Sequence, residues 1–165
     1  MAVVISDSSP LVHLSAINRF ELLRELYPDL SIPQSVWDEV TIAGAGRTGA
    51  KELADAVNNG WIKLKSPGAK FIERIESEGL DRGETDALAL ALELKAEMIL
   101  LDEVRGRTAA RRLGVRAVGT LGVLIRAKAR GLVRTLREEL QLLRLKSQMQ
   151  LSADVEELAL KLAGE

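Results

Sequence analysis

The sequence alternates short apolar runs with longer segments of helical spacing, and this alternation limits the folds open to it. Five runs are short and β-prone, and helical patterns separate them. Such an order is typical of a parallel sheet covered by helices on both faces. A length of 165 residues suits one domain. We therefore predict a single three-layer α/β domain over residues 1–165, with a helical extension at about 133–165.

Local signals place several boundaries of these elements. Pro33 suits the first turn of a helix, and Gly60 and Gly114 suit helix ends. Ser152 is placed to cap the last helix. The predicted strands are residues 2–6, 30–32, 61–65, 98–101 and 115–118. The predicted helices are residues 9–16, 19–27, 34–42, 48–59, 69–78, 84–96, 104–113, 120–130, 133–147 and 153–163.

Two of the predicted strands end in an acidic residue. Asp7 follows the first strand, and Asp102 follows the fourth. In open α/β sheets ligands bind beyond the carboxyl ends of the strands, so both carboxylates are placed for chemistry. The alternative is that each Asp caps the helix that follows it.

Two further acids are expected to face the same end of the sheet. Glu39 is closer than Asp38 to the apolar stripe of its helix, so we favour it as the inward acid. Asp86 lies one turn before Leu90 on a largely apolar helix, so we expect it to face the core. Glu84 is the alternate ligand, although the helix dipole alone explains an acid in a first turn.

The composition restricts the metal that such carboxylates would bind. The chain has no cysteine and one histidine, His13. Thiolate zinc sites, disulfides, cysteine nucleophiles and imidazole clusters are therefore excluded. A site built from carboxylate oxygens suits Mg²⁺ or Mn²⁺. The sequence predicts a site for one of these cations, formed by Asp7, Glu39, Asp86 and Asp102.

The net charge of −1 conceals a division along the chain. Residues 1–103 include 10 basic and 18 acidic residues, whereas residues 104–147 include 12 basic and 2 acidic ones. Most of these bases are arginines, which form forked contacts with phosphates. We predict that Arg105, Arg107 and Arg111, which follow the fourth strand, bind the phosphates of nucleic acid. A solvated basic helix face is the alternative.

Residues 44–49 match the G-x-G-x-x-G pattern of a dinucleotide-binding turn and precede a helical segment. That function requires a strand directly before the glycines. Because the preceding residues have helical spacing, we favour a loop and keep a dinucleotide-binding protein as the less favoured alternative.

Five segments occur in an order that is more specific than any one of them. They are residues 4–11, Pro33-x-x-Val36-x-x-Glu39, Gly83-Glu84-x-Asp86-Ala87, residues 100–109 and residues 119–132. Together they resemble the PIN-domain family of metal-dependent ribonucleases. Within it they are most similar to a branch of small prokaryotic proteins that resemble the toxins of toxin-antitoxin pairs (VapC-like).

The resemblance implies a Mg²⁺- or Mn²⁺-dependent endoribonuclease that acts as a toxin. It implies that RNA is the substrate, that a cognate antitoxin presents Arg or Lys to the acidic cleft, and that the C-terminal helices support a homodimer. A PIN-like module that binds RNA or antitoxin without turnover is the alternative. The site residues that the resemblance implies are Asp7, Glu39, Asp86 and Asp102, with Ser8 beside the first acid and Glu103 as an alternative to Asp102.

No apolar stretch approaches the ~18 residues of a membrane span, and the first residues lack the basic region of a signal peptide. We therefore expect no membrane partner and a cytoplasmic location.

Overall fold

The structure is a computed structural model that describes residues 2–165. Its five strands are β1 (Val4–Ser6), β2 (Leu30–Ile32), β3 (Ile62–Leu64), β4 (Met98–Leu100) and β5 (Arg116–Val118). They form one sheet in the order β3-β2-β1-β4-β5, and every neighbouring pair is parallel. The predicted α/β fold with a central parallel sheet is confirmed.

Helices connect the strands and extend beyond the last one. The π-helix Asp38–Ala43 directly follows α3. The α-helices are α1 (Ser8–Ala16), α2 (Leu22–Leu26), α3 (Gln34–Trp37), α4 (Ala50–Asn58), α5 (Ala69–Glu76), α6 (Arg82–Glu93), α7 (Val104–Arg112), α8 (Thr120–Ala129), α9 (Leu136–Lys146) and α10 (Ala153–Leu162).

Each face of the sheet is covered by its own apolar cluster. Val4 and Leu100 belong to the cluster that includes residues of α1, α8 and α9. Ile5 and Ile99 belong to the cluster formed with α6 and α7. Successive side chains of a strand point to opposite faces, so strands buried on both faces need continuous apolar runs. This requirement explains why β1 and β4 are apolar without alternation.

The strand order reverses direction at the centre of the sheet. From β1 the chain first adds β2 and β3 on one side, and then β4 and β5 on the other. Ser6 pairs with Leu100, and the Asp7 N–H donates to the Leu100 carbonyl at 2.9 Å. The segments that follow β1 and β4 therefore leave the sheet side by side. A crevice at such a point is where open α/β sheets bind ligands.

The C-terminal helices pack on α8 and are tied to the N-terminal half by a buried ion pair. Arg19 donates to both carboxylate oxygens of Glu139, at 2.9 and 3.0 Å, and Glu139 is 2% exposed. This pair fixes α9 against the turn after α1. Within residues 2–165, no helix combines the length and apolar character needed to cross a membrane.

Candidate metal and nucleic-acid site

A cleft of about 290 Å³ lies where β1 and β4 end. Its wall is strongly acidic, with five carboxylates from four different segments of the chain. The acidic residues are Asp7, Glu39, Asp81, Glu84 and Glu103, and the other lining residues are Ser8, Ser9, Gly79, Leu80 and Arg105.

Asp7 is the most buried acid of this cleft. It is 5% exposed, and although it precedes α1 its side chain makes no capping hydrogen bond. Burial, together with the charges of Glu84, Asp81 and Glu39, raises the pKa of Asp7 to about 7, against the backbone N–H of Ser8, which lowers it. Asp7 therefore exchanges its proton near neutral pH.

Glu39 reaches the cleft from the π-helix. The Gly44 N–H donates to the Glu39 carbonyl at 3.0 Å, a separation of five residues that defines this helix type. The Ser8 hydroxyl donates to Oε2 of Glu39 and orients its carboxylate. Asp38, its neighbour, accepts a hydrogen bond from Gln34 on the outside at 2.9 Å. π-Helical turns occur frequently at functional sites.

On α6 the structure brings Glu84, rather than Asp86, into the cleft. The helix begins at Arg82, two residues before its predicted start, and Asp81 and Glu84 form a capping box at this end. Glu84 is 6% exposed, and burial together with the charges of Asp81 and Glu103 raises its pKa. Asp86 lines a different pocket and pairs with Arg82, Nε to Oδ2, at 3.8 Å. The expected convergence of Asp86 with the other acids is not what the structure shows.

After β4, Glu103 lines the cleft and Asp102 does not, among the residues described. Both Asp102 oxygens are engaged by the start of α8, since Oδ1 accepts from the Thr120 N–H at 2.7 Å and Oδ2 from its hydroxyl at 2.8 Å. A Cβ at Gly119 would lie 2.9 Å from Asp102 Oδ1, so glycine is needed for this approach. Asp102 therefore joins β4 to α8.

Comparison with known proteins defines the family. The family model DUF3368, described as a PIN domain, matches residues 3–165. The chain belongs to the PIN domain family. PIN domains are typically nucleases and generally bind divalent metals.

The similarity extends to a solved PIN-like structure. The crystal structure of PAE2754 from Pyrobaculum aerophilum superimposes with a TM-score of 0.57 at 14% sequence identity. The match covers 78% of this chain and 96% of that one, and at this identity it supports the fold alone. No curated protein matches the chain significantly.

The acids of this PIN domain suit a hard divalent cation. A Cβ placed on Gly83 would lie 3.4 Å from Asp7 Oδ1 and from Glu39 Oε2, and 3.6 Å from Asp81 Oδ1. Carboxylate oxygens of three residues therefore lie beside Gly83, where the absence of a side chain leaves room. As the side chains are placed within residues 2–165, no three acidic or histidine residues are close enough together to hold a metal ion. Mutual repulsion keeps such carboxylates apart until a cation neutralises them, and the oxygen donors are those that Mg²⁺ and Mn²⁺ prefer.

The three predicted phosphate-binding arginines separate on the surface of the PIN domain. Arg105 lines the acidic cleft, and its guanidinium donates to the Glu78 carbonyl at 3.5 Å. Arg107 and Arg111 instead lie with Arg116 around a separate pocket of about 740 Å³ beside the edge strand β5. Only Arg105 is therefore placed to contact a phosphate in the cleft.

Residues 44–49 and His13 lie outside the acidic cluster. The glycines at residues 44–49 follow the π-helix rather than a strand, so the context of a dinucleotide-binding turn is not present in the described chain. His13 lies on α1 with Nδ1 at 2.5 Å from Ser147 Oγ, and burial lowers its pKa, against the charge of Asp102, which raises it.

Asp81 is the acid that sequence analysis missed. Its signal was the spacing Asp81-x-x-Glu84, the pattern of a capping box at a helix start. Recognising it would have moved the start of the helix to Arg82 and identified Asp81 as a second acid at this end of the helix.

Proposed function

We propose that this PIN domain protein is a divalent-metal-dependent endoribonuclease with Asp7, Glu39 and Glu84 as its principal metal ligands. The observation that carries the proposal is that acids following β1 and β4, one on the π-helix and two at the start of α6 line one cleft, with Asp7 Oδ1 and Glu39 Oε2 each 3.4 Å from a Cβ placed on Gly83. Glu84 adds a buried carboxylate to the same cleft, and Asp81 and Glu103 add negative charge around it. The donor set favours Mg²⁺ or Mn²⁺.

A divalent cation at this position supplies Lewis-acid chemistry, which acidifies water and offsets the charge that develops on a phosphate during hydrolysis. The protein prepares the ligands. Ser8 holds Glu39 by its hydrogen bond, and Asp7 gives up its proton near neutral pH so that its carboxylate is available. Arg105 at the rim is placed to bind a phosphate and hold the RNA backbone over the acids.

Cleavage of a labelled, structured RNA tests the proposal. Wild type, Asp7→Asn and the control Asp55→Asn, an exposed acid of α4, are compared with Mg²⁺, Mn²⁺ or EDTA. We expect wild type and the control to cut only with metal, and Asp7→Asn to lose about 100-fold or more, the scale expected when an electrostatic contact to the transition state is removed. An Asp7→Asn protein that cuts RNA at the native rate would disprove the mechanism.

We further propose that the enzyme is the toxin of a toxin-antitoxin pair. The support is the sequence resemblance together with the acidic cleft, which suits a partner segment that presents Arg or Lys. Co-expression with the product of a neighbouring small open reading frame tests it, and we expect a complex in which RNA cleavage is inhibited. Tight RNA binding without metal-dependent cleavage would favour the non-catalytic module instead.

A further inference from the structure

A second, larger concavity continues from the acidic cleft. It has a volume of about 730 Å³ and shares Ser8, Ser9 and Glu39 with the cleft. Its far side is formed by residues 44–48 and the end of α9, and its floor by Val12 and Ala16 of α1. The two concavities thus form one channel along α1, which we call the α1 channel.

The charge changes sign along the α1 channel. Carboxylates line the cleft end, whereas Arg47 and Lys146 line the far end. Both of these cations are exposed, and neither forms an ion pair with any residue in the described range 2–165. Two unpaired cations beside an acidic metal site suit a polyanion that has one phosphate at the metal and its neighbours further along.

The loop that carries Arg47 has a defined backbone path. Gly46 and Gly49 have φ of 77° and 95°, values that favour glycine, and the Arg47 N–H donates to the Gly44 carbonyl at 2.9 Å. A Cβ on Gly49 would already contact the Val12 Cα at 3.5 Å, so the loop packs closely on α1. The loop is therefore a shaped wall of the α1 channel.

The end of α9 is anchored to α1 in the same way. Ser147 Oγ contacts His13 Nδ1 and accepts from the Met149 N–H at 3.1 Å. This network holds the end of α9, which carries Lys146, across the channel from the glycine loop. It gives His13 and residues 44–49 a role outside the metal site.

We propose that the α1 channel binds the single-stranded RNA segment adjacent to the scissile phosphate, with Arg47 and Lys146 on backbone phosphates and a base against Val12 and Ala16. The inference rests on the proposed function. The volume matches a pocket for one or two nucleotides, which is too small for a duplex. The floor is aliphatic, so base contacts are apolar and discriminate weakly, unlike an aromatic stacking platform. A basic peptide would be repelled by the two cations.

The first experiment measures RNA binding without turnover. A fluorescein-labelled, unstructured 12-nucleotide RNA is titrated in EDTA by anisotropy against wild type, Arg47→Gln/Lys146→Gln, and a matched control, Lys95→Gln/Arg130→Gln. The control removes the same charge from residues that follow α6 and α8. We expect about tenfold weaker binding only for the channel variant. For this variant, the slope of log Kd against the logarithm of salt concentration should be smaller by about 1.4, because each phosphate contact to a single strand contributes about 0.7 to the slope. Equal affinity and slope for the two double variants would overturn the proposal.

A second experiment separates this inference from the proposed function. With Mn²⁺, the rates on the 12-nucleotide RNA and on bis(p-nitrophenyl) phosphate, a diester too small to reach Arg47, are compared. We expect the channel variant to raise KM for RNA about tenfold and to leave the small diester unchanged. Equal losses on both substrates would overturn the channel and point to a folding effect. If wild type cuts neither substrate while the binding difference persists, the nuclease proposal fails and the channel stands.

Discussion

At the scale of single residues, the candidate site is a set of carboxylates held under unfavourable conditions. A buried carboxylate is costly unless it is paired or bound to metal, and Asp7 and Glu84 are both buried beside further acids. Neither forms an ion pair within residues 2–165. The burial that raises their pKa values also makes a divalent cation their natural counter-charge.

The raised pKa of Asp7 predicts how metal binding depends on pH. Its pKa is about 7 when folded against an ordinary value of 3.8, so the folded state binds the proton more tightly than the unfolded one. Without metal, this residue's contribution to stability is present below pH 4 and is lost as pH rises from 4 to 7. Mg²⁺ competes with the same proton, so its affinity should rise up to tenfold per pH unit below 7 and then level off. Calorimetric Mg²⁺ titrations from pH 5.5 to 8.5 measure this, and a flat profile in wild type would contradict it.

Because Glu84 lines the cleft and Asp86 does not, replacing each by its amide should change RNA cleavage to different extents. Glu84→Gln keeps the capping box, because glutamine replaces glutamate there, but removes a cleft charge. We expect it to lower RNA cleavage about 100-fold with nearly unchanged stability. Asp86→Asn removes only an ion pair with an exposed arginine, so cleavage should stay within about threefold. RNA cleavage rates and thermal unfolding of both proteins test this, and the reverse order of effects would restore Asp86 as the ligand.

Sequence patterns predicted some of these placements and not others, for a local reason. Glu39 could be preferred to Asp38 because the apolar stripe of its helix is clear, and the structure places Glu39 in the cleft. Asp86 was preferred because Leu90 lies on its helix face, and since residues two apart on a helix differ by about 200°, that choice excluded Glu84, which the structure places in the cleft. The roles of these residues as metal ligands stay predictions.

At the scale of elements, the hydrophobic periodicity of the sequence predicted most of the helices and strands. Each of the five strands lies within a run predicted from its β-prone composition. The signal is clearest for β1, β2 and β4, because strands buried on both faces need continuous apolar runs. The π-helix was not predictable, since its hydrogen bonds to the fifth residue leave no mark in the hydrophobic pattern. Nor does a sequence reveal that Asp102 finds partners in α8, which lies 18 residues further along.

The link between β4 and α8 gives a stability prediction. Asp102→Ala removes two hydrogen bonds and leaves the Thr120 N–H without this partner, so we expect the free energy of unfolding to fall by about 2 kcal/mol. Thr120→Val removes only the hydroxyl contact and should cost less, about 1 kcal/mol. The increase in the free energy of unfolding on adding Mg²⁺ should persist in both proteins. Urea unfolding with and without Mg²⁺ tests this, and loss of the Mg²⁺ effect in Asp102→Ala alone would identify Asp102 as a ligand.

At the scale of the whole molecule, the surface divides into regions of different character. The acidic cleft, the unpaired cations of the α1 channel and the arginines beside β5 give a chain of net charge −1 separate local fields of both signs. Another region carries exposed apolar side chains. Val155, Leu158 and Leu162 of α10 are exposed beside a groove that also includes Leu121 and Ile125 of α8.

That apolar face leads us to expect a homodimer formed through α10. Exposed, contiguous apolar side chains are typical of interfaces, and a twofold axis would bring the same face of each copy together. Light scattering should give twice the chain mass of 18.0 kDa for wild type, and 18.0 kDa for Leu158→Ser/Leu162→Ser. Leu145→Ser is the control, because Leu145 is 81% exposed on α9 and does not line this groove in the described chain. The control should stay dimeric, since burial of about 25 cal/mol per Å² favours association only for side chains inside the interface. A monomeric wild type would contradict the dimer, and a monomeric control with dimeric α10 variants would move the interface to α9.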